Sequence, residues 1–189
     1  TFPIVFSPHD PTMMYVGGSN LFVTRDEGQS YQIISPPLAR NDKATLGASG
    51  GPITKDQTGV ETYGVVFTIA ESPLVKGVIW TGSDDGLIHL TRDGGKTWKN
   101  VTPADIGDFT RISLIDAGRF NAGTAFVAAN RYQQDDFSPL LFKTSDYGAT
   151  WTKIVSGIRA NDFTRAIRED PARKGLLYAG TEHGVYVSF

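Results

Sequence analysis

The chain has 189 residues, 40% hydrophobic and 20% charged, the make-up of a folded domain and not of a disordered segment. Its 18 basic and 20 acidic residues leave a net charge of -2, too weak a field to argue for nucleic acid or an anionic membrane as partner. No apolar run approaches the ~20 residues a spanning helix needs, and the absence of cysteine excludes disulfides and thiolate chemistry.

Short β-branched and alternating runs, punctuated by Gly, Pro, Asn and Asp, predict strands from the first residues on. In chain order they are Phe2 to Phe6, Met13 to Val16, Leu21 to Thr24 and a strand led by Tyr31. Next come Val65 to Ala70, Val78 to Thr81, Leu87 to Thr91 and a strand led by Trp98, followed by Arg111 to Ile115, Thr124 to Ala129, Leu140 to Thr144 and a strand led by Trp151. Arg165 to Arg168, Leu176 to Ala179 and Val185 to Phe189 close the series. No stretch carries the 3.6-residue periodicity of an amphipathic helix.

The phrase Thr-x-Asp-x-Gly-x-Ser/Thr-aromatic recurs at Thr24 to Tyr31, Thr91 to Trp98 and Thr144 to Trp151. Asp93 follows Asp26 by 67 positions and Asp146 follows Asp93 by 53, so the first interval carries an insertion. A second self-match, Asp108-Phe109-Thr110-Arg111 against Asp162-Phe163-Thr164-Arg165, has an offset of 54 and fixes the same frame. Four strands in each 40 to 50 residues is the signature of a β-propeller. The predicted fold is all-β: a propeller fragment of about four four-stranded blades near 1–35, 64–103, 109–156 and 163–189, the last truncated, with 36–63 as an inserted loop.

Each Asp phrase suits a tight turn between third and fourth strands, because short polar side chains bond nearby amides. Gly28, Gly95 and Gly148 supply positions where φ can be positive, and Trp98 and Trp151 suit the space between sheets. Asp26, Tyr31, Asp93 and Asp146 complete this structural set.

The phrases resemble the Asp-box, or BNR repeat, of sialidase-type propellers. With the Gly50 to Asp56 segment and Asp-Phe-Thr-Arg, the chain looks like large bacterial Asp-box proteins related to the sortilin propeller and labelled glycosyl hydrolase by analogy. That resemblance implies the fold strongly and the activity weakly, since such propellers serve enzymes and receptors alike. It implies an extracellular or periplasmic location, with any export signal upstream.

Loops joining fourth to first strands and second to third strands share one face, opposite the Asp phrases, and ligand sites are expected there. Two unusual loops fall on it, Ser35 to Gly64 and Asn130 to Pro139, the latter with Arg131, Tyr132, Asp135 and Asp136. Arg111 and Arg165 begin first strands of adjacent units, so their guanidinium groups are placed either to hold a carboxylate together or to pair with Asp108 and Asp162. Asp84-Asp85 and Asp135-Asp136 are the carboxylate pairs available for glycoside hydrolysis, although Asp-Asp-Gly is also an ordinary turn.

Gly47-Ala48-Ser49-Gly50-Gly51 matches a nucleophile elbow in letters but lacks the strand and helix that motif requires. His9, His89 and His183 show no ligand spacing, so neither metal nor cofactor is expected. The leading functional expectation is a non-catalytic binding or scaffold module that recognises a protein or glycan on the loop face. The alternative is part of a glycoside hydrolase, sialidase-like or xyloglucanase-like. A four-blade arc does not close on itself, so the expected partners are the remaining blades of a longer chain or a second copy forming a homodimer.

Overall fold

The computed structural model describes residues 2–47 and 63–189. Most of the inserted loop, and with it the Ser49 motif and the Gly50 to Asp56 segment, lies outside the described residues.

Fifteen strands among the described residues form four antiparallel sheets, each a meander in which neighbours in sequence are neighbours in space. The first holds β1 (Ile4–Ser7), β2 (Asp10–Gly17), β3 (Leu21–Thr24) and β4 (Gln32–Ile33). The second holds β5 (Val66–Glu71), β6 (Ile79–Ser83), β7 (Ile88–Thr91) and β8 (Lys99–Asn100). The third holds β9 (Arg111–Ala117), β10 (Ala125–Arg131), β11 (Asp136–Thr144) and β12 (Thr152–Lys153). The fourth has three strands, β13 (Thr164–Glu169), β14 (Leu177–Thr181) and β15 (Val185–Ser188). First strands of successive sheets pack together, β1 on β5, β5 on β9 and β9 on β13, so they form the inner edge of a propeller arc.

Apolar side chains fill the gaps between sheets in three clusters. Leu21, Val23 and Tyr15 meet Val66, Ile69 and Ile79 between the first and second sheets. Trp80, Ile88 and Leu90 meet Ile112, Ile115 and Val127 between the second and third, and Phe126, Ala128 and Leu141 meet Ile167 and Ala179 between the third and fourth. Close approach demands glycine at one point: a Cβ on Gly82 would stand 2.3 Å from Ile112 Cγ2 in the next sheet.

The three Asp phrases adopt one geometry. Asp26 Oδ1 accepts the Ser30 amide at 2.9 Å, Oδ2 accepts its hydroxyl at 2.5 Å, and the Thr24 hydroxyl donates to Oδ1 while accepting the Gly28 amide at 3.0 Å. Asp93 and Asp146 repeat these bonds with Thr91, Gly95 and Thr97 and with Thr144, Gly148 and Thr150. Both central residues of each turn have positive φ, Glu27 and Gly28, Gly94 and Gly95, Tyr147 and Gly148, the twist that matches tight hairpins. The aromatic that follows reaches back to the preceding sheet: Trp98 Nε1 donates to Ile34 O at 2.8 Å and Trp151 Nε1 to Val101 O at 2.7 Å. Tyr31, in the first sheet described, packs against no other sheet among the described residues and is 51% exposed.

One expected loop is shorter than its sequence suggests. Asn130 to Pro139 is mostly strand: β10 runs to Arg131, β11 begins at Asp136, and only a single 3-10 turn, Tyr132–Gln134, with Asp135 at φ 56, joins them. An irregularity between Ala129 and Arg131 shifts the register, from Ala129 opposite Leu140 to Arg131 opposite Asp136, and so lets the hairpin run past Pro139.

Candidate functional site

The end of the arc opposite the Asp turns is built by the hairpin turns and the links between sheets. Arg111 opens β9 and Arg165 lies near the start of β13, both on inner strands, and the β10–β11 turn projects Tyr132 between them. The guanidinium of Arg111 lies 5.8 Å from the Tyr132 ring centroid and that of Arg165 lies 5.3 Å from it. Phe163 stacks on Tyr132 at 5.0 Å with 22° between planes, and Arg165 is 4.8 Å from the Phe163 ring. Two cations thus bracket an aromatic pair, an arrangement worth about 0.5–2 kcal/mol per contact.

Their polar partners differ from the expected ones. Arg111 donates through Nη2 to Gln133 Oε1 at 2.7 Å and through Nη1 to the Tyr132 hydroxyl at 3.3 Å, and it lies 5.0 Å from the Phe67 ring. Its buried Nε finds no hydrogen-bond partner among the described residues. Arg165 Nε pairs with Glu182 at 2.6 Å. Neither arginine pairs with the Asp three residues before it. Phe109 has φ 54 and turns the chain, so that Asp108 meets Arg40 at 2.6 Å. Asp162 folds into its own sheet, where Oδ2 accepts the hydroxyls of Thr181 and Tyr186 and Oδ1 accepts from His183. Burial pushes the Asp162 carboxyl up, yet His183, Thr181 and Tyr186 outweigh it and hold the group at about 2.

Arg131 is drawn away from this cluster. Its Nε and Nη2 donate to Gln134 Oε1 at 3.3 and 3.2 Å, and Asp136 lies 3.8 Å off. Gln134 in turn donates to Phe109 O at 2.7 Å, tying the turn to the neighbouring link.

Of the four candidate carboxylates, Asp84, Asp85 and Asp136 are bonded to their own scaffold. Asp84 is buried, and its Oδ1 accepts the amides of Gly64 and Val65 at 3.0 Å each. Burial raises its pKa, against those two amides and helped by the neighbouring Asp85 charge. Asp85 is 1% exposed; Oδ1 accepts the Ser83 hydroxyl at 2.6 Å and Oδ2 the Arg40 amide at 2.8 Å. Asp136 is lowered by the Ser138 hydroxyl and amide, and Asp135 sits exposed at the left-handed end of the turn. Among the described residues no three His, Cys, Asp or Glu side chains are grouped to hold a metal.

Phe163, Gln133 and Arg40 belong to this face without having been singled out from sequence. Phe163 carried a signal, its place in the repeated Asp-Phe-Thr-Arg; Gln133 and Arg40 carried none.

No protein family model matches the chain. An oligoxyloglucan-reducing end-specific xyloglucanase of Emericella nidulans is 28% identical over 128 residues, 66% of this chain and 15% of that protein. Among solved structures, an ancestral GH74 enzyme superposes with a TM-score of 0.70 at 18% identity, over 98% of this chain and 22% of its own. The GH74 xyloglucanase of Xanthomonas campestris gives 0.65 at 17%, over 98% and 28%. YCF48 bound to D1 peptide gives 0.51 at 18%, over 90% and 44%. The chain therefore spans less than half the length of any of these proteins. At these identities the likeness to the solved structures is one of fold, and with the four antiparallel meanders it makes the chain a four-blade segment of a β-propeller.

Proposed function

We propose that the chain is a binding segment of a larger Asp-box propeller of the sortilin-like kind, exported to an extracellular or periplasmic setting, whose loop face recognises a glycan or protein ligand. The observation that carries this reading is the convergence of Arg111 and Arg165 on Tyr132 and Phe163. Phe163 is buried and backs Tyr132, so the half-buried Tyr132 ring is the surface a sugar ring or apolar side chain would meet, while guanidinium forks suit carboxylates. Three of the four loop-face carboxylates, Asp84, Asp85 and Asp136, are engaged by donors of their own scaffold, which argues against an acid and base pair at this end. The test is calorimetric titration of neutral and uronic-acid oligosaccharides against the protein and its Tyr132→Ala and Arg111→Ala variants. Binding that weakens about tenfold or more in both variants supports the reading. Binding unchanged in both overturns it.

The second reading, part of a glycoside hydrolase of the xyloglucanase type, is favoured by the relatives just described. In that case Asp84, whose carboxyl burial raises, is the candidate acid, and its counterpart comes from another blade. Release of reducing ends from xyloglucan oligosaccharides by this chain, abolished in Asp84→Asn, would favour it over the binding module.

A further inference from the structure

The gap between the first and second sheets and the gap between the second and third are built alike and filled differently at the Asp-turn end. Register puts Tyr15 where Trp80 stands, since Tyr15 pairs with Val23 and Trp80 with Leu90, and Arg25 and Arg92 hold the same place in their phrases. The residue after the next Asp is bonded alike in both gaps. Tyr147, at φ 61, donates its amide to Gly123 O at 2.9 Å, and Gly94, at φ 71, donates to Gly77 O at 3.0 Å.

Between the second and third sheets the Tyr147 ring closes the gap. The Arg92 guanidinium lies 3.9 Å from its centroid, and a Cβ on Gly123 would stand 3.1 Å from its Cδ2 and Cε2, so the ring is held between a cation and bare backbone. Between the first and second sheets no side chain takes that place, because a Cβ on Gly94 would meet nothing within 4 Å. A cavity of about 500 Å³ opens there, an ordinary size for a small-molecule site. The buried Met13, Tyr15 and Glu71 line it together with the exposed Arg25, Lys76 and Lys96.

Charge in this cavity is unbalanced. The Gly77 amide donates to Glu71 Oε1 at 2.8 Å and the Ser7 hydroxyl to Oε2 at 2.5 Å, while Asp93 is taken up by Thr91 and Thr97 of its own turn. None of the three cations lies within ion-pair distance of a carboxylate among the described residues, and Arg25 reaches only Met13 Sδ, at 3.2 Å. In the filled gap alanines, Ala122 and Ala149, stand where Lys76 and Lys96 stand in the open one.

We propose that the cavity between the first and second sheets binds a small aromatic carboxylate. Its ring lies against the Arg25 guanidinium and the Gly77 backbone, as Tyr147 lies against Arg92 and Gly123, and its carboxylate meets the ammonium groups of Lys76 and Lys96. An aliphatic acid would keep the charge pairing but offer Arg25 no π face, and a neutral aromatic would leave both lysines unpaired, so the site selects for ring and charge together.

Isothermal titration of the protein with phenylacetate tests this, beside cyclohexylacetate, which lacks the aromatic face, and 2-phenylethanol, which lacks the charge. Phenylacetate should bind saturably with a dissociation constant below about 1 mM, and each control about tenfold or more weakly. Gly94→Tyr installs the ring that the other gap already holds at the same positive φ, so it should abolish binding while circular dichroism shows the fold kept. Arg25→Ala changes an exposed side chain and should weaken binding about tenfold without touching the core. Tyr132→Ala, at the opposite end of the arc, should leave it unchanged, so this site and the loop-face site stand or fall separately. No saturation up to about 10 mM phenylacetate, equal binding of cyclohexylacetate, undiminished binding in Gly94→Tyr or Arg25→Ala, or loss of binding in Tyr132→Ala overturns the proposal.

Discussion

The aromatic position of the Asp phrase occurs three times in unequal surroundings, which makes a controlled substitution series. Trp98 and Trp151 lie between sheets, and each donates its indole N–H to a carbonyl of the preceding sheet. Trp151 also meets the fully buried Trp80 edge-on, with centroids 6.2 Å apart. Trp151→Ala removes that contact surface, opens a cavity between the second and third sheets and strips Val101 O of its donor. Large-to-small changes of this kind cost about 3–5 kcal/mol; because Trp151 is only partly buried, about 3 kcal/mol is expected. For a domain of this size that lowers the melting temperature by roughly 6–12 °C. Trp151→Phe keeps most of the apolar contact and loses the hydrogen bond, so it should cost about 1–2 kcal/mol. Tyr31→Ala removes an exposed ring that packs against no other described sheet, and the expected change is within about 0.5 kcal/mol. Thermal melting followed by circular dichroism reads all three. Equal destabilisation by Trp151→Ala and Tyr31→Ala would refute the idea that inter-sheet plugging, and not the turn itself, is what the aromatic contributes.

Gly82→Ala places a methyl 2.3 Å from Ile112 Cγ2 and 2.8 Å from Thr68 Cγ2, and Ile112 is fully buried with nowhere to retreat. A loss of about 1–3 kcal/mol is expected in chemical denaturation, and a neutral result would mean the second and third sheets slide apart at little cost. The Ser30, Thr97 and Thr150 hydroxyls, with the matching amides, hold Asp26, Asp93 and Asp146 at about 2, below their ordinary 3.8. A carboxylate whose folded pKa is depressed contributes stability that is present above the unfolded value and is lost as pH falls through the folded one. Melting temperature should therefore drop between pH 3.8 and about 2, and Asp93→Asn should make that drop shallower; an unchanged slope in the variant would count against the turns as its source.

Architecture was legible because the Asp phrase ties three unlike requirements to fixed spacing. A carboxylate must reach a hydroxyl and an amide four residues on, a glycine must sit at positive φ, and an indole must return to the previous sheet. Few structures other than a repeated hairpin meet all three; the phrases at Asp93 and Asp146 do, and the one at Asp26, with Tyr31 for the indole, meets the first two, so together they define the frame. Pairing across the loop face obeys no such local rule. Asp108 lies three residues from Arg111 in sequence, yet the turn at Phe109 sends it to Arg40. Arg165 finds Glu182, 17 residues on, because the β14–β15 turn returns there. The length of the β10–β11 hairpin was hidden for a related reason. Pro139 and two adjacent Asp residues signal a loop, whereas the register shift near Asn130 lets the strands continue around them.

The two ends of the arc therefore carry different kinds of information. At one end the same bonds recur three times within 0.1 Å, and the Asp carboxylates there are held low by identical donors. Such turns are specified by the fold, and a distinguishing ligand at that end is left to the residues around them. At the other end even a near-perfect sequence match diverges: Thr110 closes on Ile106 O of its own link, whereas Thr164 bridges to Ala129 O and Leu140 O of the preceding sheet. Beside it, Arg111 has a buried Nε that no described residue satisfies and faces Tyr132, which a second arginine also faces. That Nε is buried, so a ligand would meet instead the Nη groups of Arg111, which now donate to Tyr132 and Gln133. The proposed recognition site accordingly sits at the loop end, where the repeat breaks its own pattern.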